Sequence, residues 1–483
     1  MTQPNKLIGT SSKRVRDFHS MRMRSTTFRL SFLVANFVAF YLAHAFLGFE
    51  GVIPVACGMF CLTLVVLRPS FAEALMYGLT YLVLFDNDKF TFTTYKLRVW
   101  YPVVLAVLPF CLVRRAFHRR TGTGINAIDL LFGFALGLIL LLLARALVAE
   151  GEGRLLFAKN VLFYGGVVFV FCDLLTRENV WNICEFFVQC ALFVSLWGFL
   201  QLGHNLLGDP RFQVDFAAFR PSGFFSESTW YAEFGLFGLY LALIQGRWSV
   251  SDKRSEPFYF FVACVCFLAM VVSFARNPML ALIVFVVFAF VFLRGFLLTS
   301  ILRVMMVNGI ALVSGLLLLL IFLYDPVVGF ISRFGGFITK LYMLDLSVVG
   351  RLEAFQQSFE MLGNTSFLFG SGFDLWDNTS TGTFIGAKSF NVFLMLLHQG
   401  GLMALAVALA FFGLPFLVLL RTCIQQKTVV ALIGLTLLLN YLWICQFAPL
   451  HLYPFGAVVL GISLGCARLA GMDGKIPVPE AIG

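Results

Sequence analysis

Five charged side chains of this chain, at the edges of apolar runs or in the long polar segment between them, are placed to do chemistry. Arg220 and Glu227 lie in FRPSGFFSESTWYAEF (219–234), just ahead of an apolar run, and Arg276 closes another run in VVSFARNPML (271–280), where Asn277-Pro278 forces a turn. Arg351 opens the helical pattern around LEAFQQSFEML (352–362), and Lys388 closes the same long polar segment. An ionised group at the middle of an apolar helix costs about 2.5–3.5 kcal/mol on insertion scales, so each marks either a function or a paired charge. A guanidinium is a rigid fork of donors, and two forks at one mouth suit a pyrophosphate. The plain alternatives are a snorkelling or capping arginine at 220 and 276, an ion pair of Arg351 with Glu353 or Asp345, and an ion pair of Glu227 with Arg220.

Other chemistry is thinly represented. Asp86 and Asp88 flank Asn87 in a short early loop, away from the arginines, and no His/Asp/Glu cluster has metal-ligand spacing, so no cofactor and no metal are expected. His398 is a lone histidine on an apolar helix, a setting that favours packing over catalysis. The eleven cysteines lie in or at the ends of apolar runs without CxxC spacing and read as small hydrophobic residues.

The elements that must position these residues follow from composition. Of 483 residues, 60% are hydrophobic and 12% charged, about half the charged share of a soluble domain, and the mean hydropathy is +0.90. The apolar residues come in runs at about 28–48, 51–67, 69–85, 97–113, 127–149, 155–175, 181–203, 229–246, 258–275, 279–298, 303–323, 397–420, 428–447 and 453–470. Each is long enough, or nearly so, for a hydrocarbon layer of about 30 Å. The expectation is an all-α polytopic integral membrane protein with about 14 transmembrane helices and a large helical extracytoplasmic loop. Soluble enzymes, nucleic-acid binders and β-barrels are excluded.

The net charge of +10 belongs to orientation rather than to a nucleic acid. Threading the runs alternately puts 22 of the 35 Lys and Arg on one side, which the positive-inside bias makes cytoplasmic, with both termini there. The chain then divides into a basic cytoplasmic arm (1–27), N-terminal transmembrane helices (28–203), further helices with the outer Arg/Glu loop (204–323), a large periplasmic loop or lid (324–388), C-terminal helices (389–470) and a cytoplasmic tail (471–483). The N-terminus has no cleavable signal, so the first run is expected to be the anchor. Loops as long as 324–388 are usually functional or disordered, and apolar residues at helical spacing followed by FGSGFDLW (369–376) favour short helices over the membrane mouth.

In order and spacing, these motifs resemble the O-antigen ligase and O-antigen polymerase superfamily of bacterial membrane glycosyltransferases. The matches are Arg220, Gly223, Phe225 and Glu227, then Ser273 and Arg276, then Gly350-Arg351, Gly370 and Gly372, and finally Asn391, Phe393, Leu394, Gly400 and Gly401. They span about 200–415; the earlier runs agree only in general character. The resemblance implies a metal-independent enzyme of the bacterial inner membrane, its site facing the periplasm. The donor it implies is an undecaprenyl-pyrophosphate-linked oligosaccharide. Arg220 and Arg276 would hold the pyrophosphate, with Arg351 as a third member and Lys388 and Asn391 on the substrate. Glu227 would be a base or acceptor-binding group.

Ligases typically carry a His beside the Asn that ends the long loop, whereas this chain reads Lys388-Ser389-Phe390-Asn391. That departure, with the Glu227 pattern, favours the polymerase side: inverting transfer that joins lipid-linked repeat units of an O antigen or exopolysaccharide. The expected partners are the lipid-linked oligosaccharide, membrane lipid and a chain-length regulator protein, with no nucleic acid. Two alternatives stay open: a ligase transferring the glycan to lipid A core or a protein, and a transporter or flippase of lipid-linked sugar using the same arginines.

Overall fold

The computed structural model describes residues 25–85, 100–119, 153–206, 221–225, 227–248, 256–293, 297–322, 391–426, 428–446 and 454–471, with isolated positions 332, 368 and 370. These residues are helical throughout apart from turns. The helices are α1 (Thr26–Leu67), α2 (Phe71–Leu82, extended by a 3-10 turn Val83–Phe85), α3 (Tyr101–Arg119), α4 (Gly153–Leu174), α5 (Val180–Leu206) and α6 (Ser228–Trp248). They continue with α7 (Glu256–Val272), α8 (Arg276–Phe292), α9 (Leu298–Phe322), α10 (Val392–Gln426), α11 (Val429–Ile444) and α12 (Pro454–Gly471). Among the described residues four stretches are long and apolar enough to cross a membrane: Thr27–Gly48, Val180–His204, Gly400–Gln426 and Pro454–Gly471. The apolar run at 127–149, the basic arm through residue 24, nearly all of the long loop at 324–388 and the tail beyond 471 lie outside the described residues.

The chain forms two compact units, each assembled from separated stretches. The first comprises Met1–Val103, Thr176–Ser273 and Ser300–Asn308. Its helix directions can be read from side-chain partners. Arg29, Phe32, Phe37 and Phe40 of α1 meet Glu185, Phe186, Phe193 and Trp197 of α5 in rising order, so these helices are parallel. Helix α2 runs the same way, with Glu73 bonded to Asn182 and Tyr77 packed on Phe186. Helix α6 runs oppositely, its Gln245 side chain donating to the Trp181 carbonyl at the start of α5 while Tyr231 donates to Ser195 further along. Helix α7 is antiparallel to α6, for Gly235 lies against Cys266 and Gly246 against Tyr259. The first turns of α1, α2, α5 and α7 therefore gather at one end of this unit.

Two glycines reverse the chain inside stretches that are otherwise helical. Gly48 (φ 65, ψ −158) and Gly401 (φ 66, ψ −163) adopt a backbone conformation open essentially only to glycine. At Gly48 the second arm of α1 folds back, so that Phe60 and Asn36, on opposite arms, both reach Tyr81. At Gly401 the Phe393 and Phe412 rings come to 5.9 Å. A straight helix would hold residues 19 positions apart at about 28 Å. The expected run at 397–420 thus crosses a reversal: residues 392–400 form a short arm and 402–426 the long one, and His398 belongs to the short arm. The Leu368 carbonyl accepts the Met403 N–H, one of the first-turn donors of the long arm.

The second unit comprises Val104–Leu175, Phe274–Thr299 and Gly309–Gly483. Its α4 and α12 are parallel and close: a Cβ at Gly461 would lie 2.7 Å from Phe171 Cβ, and one at Gly465 2.8 Å from Leu175 Cδ2. Arg468 reaches the last carbonyls of α4, donating to Asp173 O at 3.3 Å and Leu175 O at 3.2 Å, which satisfies acceptors that a helix end leaves open. Ser463 of α12 donates to the Gly434 carbonyl of α11, and Leu419 of α10 packs against the same glycine.

Candidate functional site

The segment that carries the Arg220–Glu227 pattern is a tight turn entering α6. Phe225 N–H donates to the Ser222 carbonyl, closing a β-turn in which Gly223 has φ 62. A side chain at Gly223 is excluded twice, by that φ and by Tyr231 Cδ2 and Val194 Cγ1, 3.0 and 3.1 Å from where a Cβ would stand. Residues 221–225 are all buried. Phe224 enters an aromatic nest, its ring stacked on Trp197 at 5.0 Å and packed on Phe85, Phe40 and Phe193.

Polar groups of this turn are matched by one side chain. Gln201 of α5 accepts from the N–H groups of Ser222 (3.2 Å) and Gly223 (2.9 Å) and donates to the Gly223 carbonyl (2.7 Å). Three residues past Phe224 the chain surfaces: Glu227 is exposed, and its carbonyl accepts the Tyr231 N–H of α6. Arg220, adjoining buried Pro221, lies outside the described residues, as do Arg351 and Lys388.

Arg276 is the first residue of α8. Three residues before it, Ser273 is buried with its hydroxyl donated to the Met270 carbonyl at the end of α7, and Phe274 takes a left-handed φ of 53. The half-buried Arg276 follows Ala275, whose methyl cannot cap the helix. A cation in a first helical turn opposes the macrodipole by about 0.3–1 kcal/mol, while the same turn attracts anions. This setting differs from a snorkelling arginine at a helix C-terminus, where charge and dipole agree.

Asn391 does two jobs at the start of α10. Its Oδ1 caps the helix by accepting the N–H groups of Phe393 and Leu394, each at 3.0 Å, and its Nδ2 donates to Gln446 Oε1 at 2.8 Å. The Val392 N–H reaches the Cys445 carbonyl, tying the short arm to the end of α11. Glu227 belongs to the first unit, and Arg276 and Asn391 to the second, on different helices. Among the described residues no three His, Cys, Asp or Glu side chains form a group able to hold a metal ion.

The structure also displays polar residues that the motif reading passed over. Gln201 is one; a single Gln inside an apolar run carries no signal of its partner. The other is a cluster at the gathered first turns. Arg29 Nε donates to Glu185 Oε1 at 3.0 Å, with the two side chains 3% and 1% exposed. Tyr259 Oη accepts from Arg29 Nη2 and donates to Glu185 Oε2, Gln189 donates to Glu185 Oε1, and the guanidinium lies 4.2 Å from the centre of the Phe258 ring. Beside it, Glu73 closes a capping box with Ser70 and accepts from Asn182. Comparison with known proteins adds no relative: no family model, no curated protein and no solved structure matches the chain.

Proposed function

We propose that this chain is a polysaccharide polymerase of the bacterial inner membrane, resembling the O-antigen ligase and polymerase superfamily. It joins undecaprenyl-pyrophosphate-linked repeat units on the periplasmic side. A sugar hydroxyl of one repeat unit attacks the anomeric carbon of the lipid-linked chain. A new C–O bond forms as the bond to pyrophosphate breaks, undecaprenyl pyrophosphate leaves with the electron pair, and the hydroxyl proton passes to a base. Arg220 and Arg276 hold the leaving pyrophosphate, where fixed donors stabilise developing charge more than they stabilise the ground state. Arg351 and Lys388 assist on the same substrate, and exposed Glu227 is the base or acceptor ligand.

The observation that carries this reading is Arg276 at the opening of α8, a cation set against the helix dipole where an anion would be welcomed. The alternation of the proposed threading is supported by the helix directions within each unit, and its sidedness, with both termini cytoplasmic, rests on the positive-inside charge bias. The first turns of α1, α2, α5 and α7, all cytoplasmic ends in that threading, meet at one point, and α6 runs the other way. In the second unit the Phe288–Phe416 contact joins positions 12 residues past Arg276 and 15 past Gly401, similar depths of about 18 and 22 Å. Asn391, occupied as a helix cap, is assigned to shaping the entrance of α10 beside the substrate.

Purified protein in proteoliposomes, supplied with lipid-linked repeat units alone, should lengthen the glycan. Arg220→Ala and Arg276→Ala should each abolish extension while the protein still inserts, and Lys at either position should restore only part, because a point charge lacks the fork. Wild-type rates in both Ala variants would end the pyrophosphate assignment. Transfer seen only when lipid A core is added identifies a ligase, and movement of substrate without a new glycosidic bond identifies a transporter.

A further inference from the structure

We infer that Gln201 is a positioning residue for the reaction, holding the buried 221–225 turn that adjoins Arg220 in the sequence and leads to Glu227 and α6; this rests on the polymerase reading above. Gln201 is 1% exposed, and a buried amide is costly unless bonded. Its bonds go to three backbone atoms of two successive residues, Ser222 and Gly223, which are otherwise buried without a helix or sheet to pair them. The amide does for this turn what a neighbouring strand does for a strand edge. Fixing Ser222 and Gly223 fixes the described turn from buried Pro221 to Phe225, which Arg220 precedes in the sequence and Glu227 follows.

The packing of α5 on α6 does not depend on these bonds. Tyr231 donates to the Ser195 carbonyl, Gly238 lies against Ala191, and Gln245 donates to the Trp181 carbonyl, all along the length of the two helices. Loss of Gln201 is therefore expected to free the turn and leave the bundle paired. The aromatic nest around Phe224 holds the turn's middle by apolar contact but sets no hydrogen-bond register.

Two variants test this in proteoliposomes with lipid-linked repeat units. Gln201→Leu removes all three bonds at similar volume and should lower extension about tenfold or more, the equivalent of one or two buried hydrogen bonds. Hydrogen exchange should show lost protection of the Ser222 and Gly223 amides and unchanged protection at 182–189. Gln201→Glu is the sharper variant. A protonated carboxyl accepts and donates like the amide, whereas a carboxylate cannot donate to the Gly223 carbonyl. The activity ratio of Gln201→Glu to wild type should therefore rise from alkaline to mildly acidic buffer. His204 on α5, Glu227 and Tyr231 at the start of α6, and His44 and Tyr41 on α1 are common to both proteins, so the ratio isolates position 201.

A flat ratio, or full activity in Gln201→Leu, overturns the positioning role while wild-type extension keeps the polymerase reading. Wild-type protein that extends no glycan overturns the reading and the role together. Unchanged exchange at Ser222 and Gly223 in Gln201→Leu overturns the turn-holding geometry whatever the activity.

Discussion

At one end of the first unit, four helices bring their first turns together around Arg29 and Glu185; at the other, about 24 Å along α5 from Glu185, the neutral amide of Gln201 is spent on bare backbone. Both ends bury polar atoms, and both engage them with partners from distant sequence. Charge is matched by charge at the Arg29 end, so little is left to offer a ligand, and the result is a lock among α1, α2, α5 and α7. At the Gln201 end the matching is done by a residue with no charge, and the charged neighbour Glu227 is turned outward. Polar burial in an apolar bundle can thus serve cohesion or presentation, and what separates the two is whether charged groups are consumed in the packing.

The largest test of that contrast is at the lock. Arg29→Ala leaves the Glu185 carboxylate buried without its cation and should cost about 3–5 kcal/mol of stability, read as a drop in the unfolding midpoint in detergent. Arg29→Met combined with Glu185→Leu should recover most of the loss; a double variant as unstable as the single one would mean that the pair itself, rather than the orphaned charge, matters. At the other end, Gly198→Ala places a methyl 2.3 Å from the Tyr231 hydroxyl, forcing it from the Ser195 carbonyl. The expected loss is about 1–3 kcal/mol, with extension reduced alongside it.

Tyr259→Phe removes two hydrogen bonds from the lock and should cost about 1–2 kcal/mol, with catalysis per folded molecule unchanged. The smallest effect on stability belongs to Glu227→Gln, within about 0.5 kcal/mol for an exposed side chain. Its effect should fall on use of the acceptor, read as a changed acceptor dependence of extension. Unaltered acceptor kinetics would return Glu227 to a surface role and weaken the distinction between the two ends.

Much of the helical layout was legible in the sequence because apolar runs of this length have few alternatives to helices, and the boundaries at Gly48, Ser70 and Pro454 carry their own stop and start signals. The reversal at Gly401 was not legible in the same way. Only His398-Gln399 and the Gly400-Gly401 pair interrupt the apolar residues there, and such a short polar interruption does not say that the backbone turns back on itself. Gly401, which the resemblance enrolled as a motif residue, has a backbone reason to be glycine, and so does Gly223. Asn391 is read from the sequence as a substrate residue; in the structure its amide serves as a helix cap and as a tie to Gln446, a contact between positions 55 residues apart that no local pattern announces.

Sequence alone determined the class of this protein: an all-helical chain, 60% hydrophobic and 12% charged, with runs long and apolar enough to cross a membrane. Those properties are sums over residues or local spacings, and they hold for any packing of the helices. Only tertiary structure decided which buried polar groups find each other, because hydrogen bonds and ion pairs depend on distances of about 3 Å between segments far apart in the chain. Arg29 with Glu185 and Tyr259, and Gln201 with Ser222 and Gly223, exist as sites only once the helices are packed.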